Sequence, residues 1–206
     1  MKVLPLVALL FAIHRVVAQS PATTPAQQAK ADAGVQHYTA ADVRFMQDMI
    51  HHHAQALIMA GWAMTHGASD DVKTLAGRID VGQHDEIAFM QRWLSERHEA
   101  MSANHEMHDM PGMSMPDTLM PGMLNSQQMS TLDAARGKDF DQLFLRFMIQ
   151  HHTGALTMVN RLFATPGAAQ EEYVFRFATD VSTDQTTEIE RMESMLETIS
   201  PQPIKQ

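Results

Sequence analysis

Histidine and methionine are the residues of this sequence whose type and spacing could do chemistry. The chain of 206 residues contains 18 Met and 12 His but no Cys. Imidazole nitrogen and thioether sulfur bind soft and borderline metal ions such as copper, whereas Mg²⁺ and Ca²⁺ prefer oxygen ligands. The absence of Cys excludes disulfides, thiolate zinc sites, iron–sulfur clusters and a cysteine nucleophile. What remains is the chemistry of imidazoles and thioethers.

Two His-His pairs lie in segments that repeat one another at a constant offset of 99 residues. Eight residues are identical in the two segments. In the first they are Phe45, Met49, Ile50, His52, His53, Ala56, Leu57 and Met59, and in the second they are Phe144, Met148, Ile149, His151, His152, Ala155, Leu156 and Met158. A second repeat, at an offset of 102, relates Gln83 and Glu86 to Gln185 and Glu188. Repeats of this length predict two copies of one αα-hairpin.

Helical periodicity predicts that both His pairs face the core. At about 100° per residue, His52 and His53 fall on the apolar side of their helix, whereas His51 falls on the opposite side. Gln150 replaces His51 in the second copy, so we expect His51 to be solvated. The same helical periodicity places one inward Gln and one inward Glu on each of the other two long helices: Gln83, Glu86, Gln185 and Glu188.

Polar groups buried without partners cost about one to several kcal/mol each, so these side chains need partners. One explanation is an internal hydrogen-bonded network in which Gln83 and Glu86 bond the His pair and fix helix register. The other is a metal ion bound by neutral imidazoles, with Gln or Glu holding the far ring nitrogen. Methionines three residues before and six or seven residues after the pairs favour metal: Met49, Met59, Met148 and Met158.

A carboxylate-bridged di-iron site does not fit this pattern. Such bundles use Glu-x-x-His on two helices and a lone Glu on the other two. No Glu-x-x-His occurs at the inward positions, and each half offers one inward Glu. The predicted ligand set is therefore softer than that of an oxygen-rich iron site.

Seven methionines and two histidines lie between residues 101 and 123. They are Met101, His105, Met107, His108, Met110, Met113, Met115, Met120 and Met123. Pro and Gly interrupt any helix there, so the irregularly spaced Met have no expected packing role. Thioethers lose no proton on binding and suit Cu(I) or Ag(I), while His105 and His108 add nitrogen for Cu(II). The alternatives are an adaptable hydrophobic surface and an oxidation sink.

The fold predicted around these residues is an all-α, pseudo-symmetric four-helix bundle. The helical stretches run from Thr39 to about His66, from Asp70 to about His98, from Ser126 to about Thr165 with a break near Gly137, and from about Ala168 to Thr198. The bundle spans 39–198, with halves 39–98 and 126–198 joined by a Met/His-rich linker at 101–125. A short tail follows at 199–206.

The first 38 residues read as an export signal and a leader. Lys2 precedes an apolar run at 3–13 that is too short to span a bilayer, and small residues predict cleavage after Ala18. Residues 19–38 are rich in Ala, Gln, Pro and Thr and are expected to be disordered. We expect a periplasmic or secreted protein without a membrane anchor. The net charge of -9, with no Lys/Arg-rich run, argues against nucleic-acid binding.

The doubled motifs resemble the domain-of-unknown-function 305 family. They read Phe-Met-x-x-Met-Ile-x-His-His at 45–53, Gln-x-x-Glu-Ile-x-x-Met at 83–90, Phe-Leu-x-x-Met-Ile-x-His-His at 144–152 and Met-Pro-Gly-Met at 110–113. The resemblance covers about residues 40–197 and implies a ferritin-like four-helix bundle. It also implies the periplasmic copper binding of some members, linked to copper resistance. The ligands it implies are Met49, His52, His53, Met59, Met148, His151, His152 and Met158.

The function expected from the sequence is non-catalytic copper binding for sequestration, transfer or resistance. Cu(I) is favoured and Cu(II) is the second option, with a copper-handling protein as a further expected partner. One alternative is a redox metalloenzyme such as a metal oxidase on the same bundle. The other is a metal-free helical interaction module. Hydrolase and NTPase functions have no support, since no triad order, phosphate loop or zincin motif is present.

Overall fold

The structure is a computed structural model that describes residues 24, 38–101 and 119–199. Its described residues form five helices and no strand, which confirms the all-α prediction. The helices are α1 (Ala40–Ala63), α2 (Asp70–Glu96), α3 (Ser126–Ala134), α4 (Gly137–Ala164) and α5 (Glu172–Ile199). Two compact units divide the chain, Met1–Gln36 and His37–Gln206, and only residue 24 of the first is described.

Capping residues set the starts of the first two helices. Thr39 and Asp42 form a capping box at the start of α1, and Ser69 caps α2 by accepting from the Val72 N–H. The predicted third helical stretch, with its expected break near Gly137, is two helices, because Ala135 and Arg136 adopt extended backbone between α3 and α4.

The last helix begins at Glu172, not near Ala168 as the sequence predicted. Ala169 takes a positive φ of 53°, which interrupts the helical path. Its N–H donates to Oδ1 of Asp42 over 2.6 Å, while Oδ2 of the same carboxylate accepts from the Thr39 N–H over 2.7 Å. The buried Asp42 therefore holds both the start of α1 and the loop before α5.

Two helical hairpins build the bundle. Helix α1 packs along α2, helix α4 packs along α5, and the hairpins meet where α1 contacts α4. One apolar cluster contains Met49 and Met158, and the other contains Met59 and Met148. Each cluster thus joins an early residue of one helix to a late residue of the other, so α1 and α4 run antiparallel. The inward His pairs lie between these clusters along both helices.

Tyr38, the last residue of the predicted leader, packs against the bundle. Its ring lies edge-on to Trp93 at 5.1 Å, and its hydroxyl donates to Glu99 over 3.1 Å. The predicted signal peptide at 1–18, the other leader residues except Thr24, and residues 200–206 lie outside the described residues. No helix in the described ranges is both long and apolar enough to cross a membrane.

A tight turn at residues 120–124 closes over the crossing of α1 and α4. The Met123 N–H donates to the carbonyl of Met120 over 3.1 Å, and Gly122 has a φ of 76°. Gln55 of α1 fixes the end of this turn by bonding both the N–H and the carbonyl of Leu124, at 2.7 and 3.0 Å.

Glycine is required where this turn meets α4. A Cβ atom added at Gly154 would lie 2.0 Å from the carbonyl oxygen of Pro121 and 2.5 Å from Cα of Gly122. Both of these atoms belong to backbone, so the clash has no flexible side chain to relieve it. The 120–124 turn can sit on α4 only because residue 154 has no side chain.

We predict that Gly154→Ala destabilises the protein by about 2 kcal/mol or more, since it forces backbone apart. Gly61→Ala is the matched control, because a Cβ there meets nothing within 4 Å. The control should raise stability by roughly 0.5–1 kcal/mol through helix propensity. Urea denaturation of both variants measures the difference. Equal stability of the two variants would show that the turn does not pack on α4 as described.

Candidate metal centre

The imidazoles of His52 and His151 lie against one another at the crossing of α1 and α4. Their ring centroids are 3.8 Å apart with an interplanar angle of 37°, and both residues are completely buried. His53 and His152 lie beside them, each with its ring centroid 6.3 Å from that of its neighbour in sequence. Both are buried as well, whereas His51 is exposed, as periodicity predicts. The repeat thus brings all four inward His into one layer.

An acceptor oxygen faces Nε2 of every one of these rings. His53 donates to Oε2 of Glu86 at 2.5 Å, and His152 makes the equivalent bond to Glu188 at 2.6 Å. Backbone carbonyls accept from the central pair, His52 and His151. His52 donates to the carbonyl of Pro121, and His151 donates to the carbonyl of His52, both at 3.0 Å. A carbonyl can only accept, so Nε2 of the central rings carries the hydrogen.

Burial keeps the central rings neutral. It is the largest cause that lowers the pKa of His52 to about 3, followed by the charge of His53. Burial and then the charge of His52 lower the pKa of His151 well below its ordinary value. At neutral pH the Nδ1 atom of each central ring therefore carries a lone pair.

Seven buried side-chain atoms have no hydrogen-bond partner among the described residues. They are Nδ1 of His52, His53, His151 and His152, both amide atoms of Gln83, and Oε1 of Gln185. A ring that donates through one nitrogen to a carboxylate or carbonyl, and keeps the other nitrogen free, is arranged like a metal-ligating His. The donor set therefore fits a metal that accepts imidazole nitrogen.

An internal network explains only half of this arrangement. Glu86 does bond His53, as the network explanation requires, but neither amide atom of Gln83 bonds any group. Every Nε2 is satisfied and every Nδ1 is not. A buried polar atom without a partner costs roughly 1–3 kcal/mol, so a purely structural network would leave a large unrecovered cost in the core.

The layer does not hold a ready-made site of nitrogen and oxygen ligands alone. Within residues 38–101 and 119–199, no three His, Asp or Glu side chains are placed to hold one ion. Thioether sulfur is the further ligand type that the predicted site residues offer to such an ion. The predicted Met ligands are all buried on the two helices that carry the His pairs: Met49, Met59, Met148 and Met158.

Part of the linker reaches the bundle. Met120 and Met123 are half-buried, and Met120 packs against the apolar cluster that contains Met158. Met120 and Met158 also line a common groove of about 560 Å³. The expectation that linker methionines have no packing role is therefore wrong for Met120, because the tight turn presses it onto α1 and α4. Met101 is exposed.

The other linker ligands lie outside the described residues: His105, Met107, His108, Met110, Met113 and Met115. Sequence reasoning missed the carbonyls that orient the central rings. Pro121 lies 69 residues from His52, and no periodicity links a turn to a helix at that distance. The signal available was the second Met-Pro-Gly-Met, at 120–123, whose Pro and Gly mark a tight turn.

A family model for a domain of unknown function, DUF305, matches residues 42–196. The chain belongs to the DUF305 family. No curated protein matches it significantly.

Solved structures of this family share the fold. A DUF305 fragment from Deinococcus radiodurans is 27% identical with a TM-score of 0.65, and the match covers 78% of this chain and 98% of that one. A DUF305 protein from Streptomyces coelicolor, predicted to be secreted, is 26% identical with a TM-score of 0.67, covering 77% and 93%.

A third relative, CopM, is solved in a Cu(II)-bound form. It is 26% identical to this chain with a TM-score of 0.59, and the match covers 76% of this chain and 96% of CopM. CopM is also solved with Cu(I) and with Ag bound. The DUF305 family thus includes a copper-binding protein.

We predict that the metal-free protein loses stability as the pH falls from 7 toward 4. The unfolded chain protonates His52 near the ordinary pKa of 6.5, whereas the folded protein does so only at about 3. Between these values the unfolded state holds more protons, so stability decreases with falling pH. Each such His contributes a slope of about 1.4 kcal/mol per pH unit.

Urea denaturation at a series of pH values, with a chelator present, measures this slope. His151→Gln should make it shallower, because one of the two buried imidazoles that stay neutral is removed. The change His51→Gln, at an exposed position, is the matched control and should not alter the wild-type dependence of stability on pH. A wild-type stability that is constant between pH 7 and pH 4 would contradict buried, neutral central rings.

Proposed function

We propose that this protein binds copper through His and Met ligands, to sequester it or pass it on, and that it performs no catalysis. One observation supports this above all: four buried His donate through Nε2 and leave Nδ1 without a partner. In rings oriented in this way, one nitrogen is fixed by a hydrogen bond and the other is available to bind a metal ion.

The chemistry of the layer favours Cu(I) over harder ions. Few nitrogen ligands can converge on one ion, and the neighbouring donors are thioethers, which prefer Cu(I) and add little for Zn²⁺ or iron. The copper-bound forms of CopM support a copper-related role, at about a quarter sequence identity. Cu(II) is the second state we propose, with the nitrogen ligands of the linker as its natural site.

We further propose that the protein acts outside the cytoplasm and hands copper to a partner protein. The N-terminal sequence has the pattern of an export signal, and the Streptomyces coelicolor relative is predicted to be secreted. A chain without Cys suits an oxidising compartment, where thiol ligands would be lost to disulfides.

Repeated oxidation of Cu(I) would distinguish a copper oxidase from a protein that only binds copper. We expect no more Cu(I) to be oxidised under oxygen than in a protein-free control, since imidazole and thioether ligands stabilise the reduced ion. Oxygen consumption with excess Cu(I) measures this. Repeated oxidation of several equivalents per chain would replace the binding role with an enzymatic one.

We predict that the double variant His53→Gln, His152→Gln weakens Cu(I) binding by more than about tenfold. Gln keeps an amide N–H that can donate to Glu86 or Glu188, but it removes Nδ1. Competition against a colorimetric Cu(I) chelator measures affinity and stoichiometry. His51→Gln is the control from the same His run and should bind as the wild type does. Unchanged binding in the double variant would exclude these imidazoles as ligands.

The linker methionines are tested separately, with the 120–124 turn left intact. Replacing Met107, Met110, Met113 and Met115 by Leu should lower the number of Cu(I) ions bound per chain, because Leu keeps the apolar bulk and removes sulfur. The stability of the bundle should not change. Unaltered Cu(I) capacity would reduce this segment to a connection between the two hairpins.

A further inference from the structure

One side of the His layer is closed by backbone. The 120–124 turn lies over His52, which donates to the carbonyl of Pro121, and its Gly122 sits against the backbone of α4 at Gly154. Gln150 of α4 donates to the carbonyl of Gly122 over 3.2 Å and secures the contact. A metal ion cannot pass here unless the turn leaves α4.

The opposite side of the layer opens into a groove between α2 and α5. This groove has a volume of about 300 Å³ and is lined by both repeated pairs of polar residues: Gln83, Glu86, Gln185 and Glu188. The side chain of Glu86 is 17% exposed and that of Glu188 is 24% exposed, while the imidazoles that they bond are fully buried. These two carboxylates therefore connect solvent to the buried rings.

A second groove, of about 470 Å³, adjoins the first and shares Glu86 and Asp184 with it. Asp85 and Asp180 also line this second groove, against a single Arg, Arg176. Two other Arg line the first groove, Arg78 and Arg191, but they lie two helical turns away from Glu86 and Asp184 on their respective helices. The end of the path marked by Glu86 and Asp184 is therefore acidic.

The carboxylates at this end act on one another. Burial and then the charges of Glu86, Glu188 and Asp180 raise the pKa of Asp184. Repulsion between like charges is relieved when a cation lies among them. Asp184 has no counterpart in the first hairpin, since the repeat places Gly82 at the equivalent position. This acidic end is thus an addition to the repeated motif.

Two unsatisfied amides line the same groove farther in. Gln83 is 3% exposed and Gln185 is 2% exposed, and Oε1 of each lacks a hydrogen-bond partner. A hydrated cation carries water molecules whose hydrogens would satisfy these oxygens as it passes. The amides therefore mark a path for a hydrated cation, independently of the carboxylates.

We propose that the groove between α2 and α5 is the route by which a hydrated metal cation reaches the His layer, and that Asp184 collects the cation at its acidic end. This proposal rests on the proposed function, since it concerns access to the same imidazoles. A carboxylate-lined cleft raises the local concentration of cations and so speeds association. Asp184 is a positioning residue here and is not a ligand of the final site.

Stopped-flow mixing of metal-free protein with Ag⁺, a redox-inert substitute for Cu(I), tests the route, with the change in Trp fluorescence as the signal. Asp184→Asn should slow association by about threefold to tenfold at low ionic strength, and the difference should shrink in high salt. The amount of Ag⁺ bound at equilibrium should stay that of the wild type. Glu190→Gln, an exposed change on the same helix that lines neither groove, is the matched control.

A gain-of-function variant completes the test. A Cβ at Gly82 meets nothing within 4 Å, so Gly82→Asp adds the missing symmetric carboxylate to the groove without a clash. It should accelerate association. Equal rates for the wild type and both groove variants would overturn the route and leave copper binding intact. No Ag⁺ bound by the wild type at equilibrium would overturn the proposed function and the route together.

Discussion

This structure depends on four buried hydrogen bonds, each donated by Nε2 of an inward His. Glu86 and Glu188 accept from the outer rings, His53 and His152, and the carbonyls of Pro121 and His52 accept from the central rings, His52 and His151. These bonds tie α1 to α2, α4 to α5, α1 to α4, and the 120–124 turn to α1. The His layer therefore joins the four long helices, and the Nδ1 atoms of the same four rings have no partner among the described residues.

Stability and metal chemistry are linked through this layer. A core that leaves seven polar atoms without partners among its described residues is less stable than an apolar core of the same size. An ion that binds Nδ1 would recover part of this cost in the folded state only, and so it would stabilise the protein on binding. The apolar clusters on either side, each holding Met from both hairpins, supply the sulfur that such an ion would need.

Periodicity was sufficient to predict the helices, the inward faces of both His pairs and the exposure of His51, because burial follows helical spacing. It did not predict which oxygen each central ring meets, since Pro121 and the backbone of His52 belong to other elements. The late start of α5 depends on loop conformation and on the carboxylate of Asp42. The packing of Met120 depends on a backbone contact that only Gly154 permits.

The central claim is that all four inward imidazoles present Nδ1 to a metal. Long-range ¹H–¹⁵N correlation spectra of the metal-free protein, recorded before and after addition of Ag⁺ as a redox-inert substitute for Cu(I), test it most directly. We expect the four rings to show the tautomer protonated at Nε2, and Ag⁺ to shift their Nδ1 resonances while Nε2 stays protonated. Rings protonated at Nδ1, or Nδ1 resonances that Ag⁺ leaves in place, would contradict the claim.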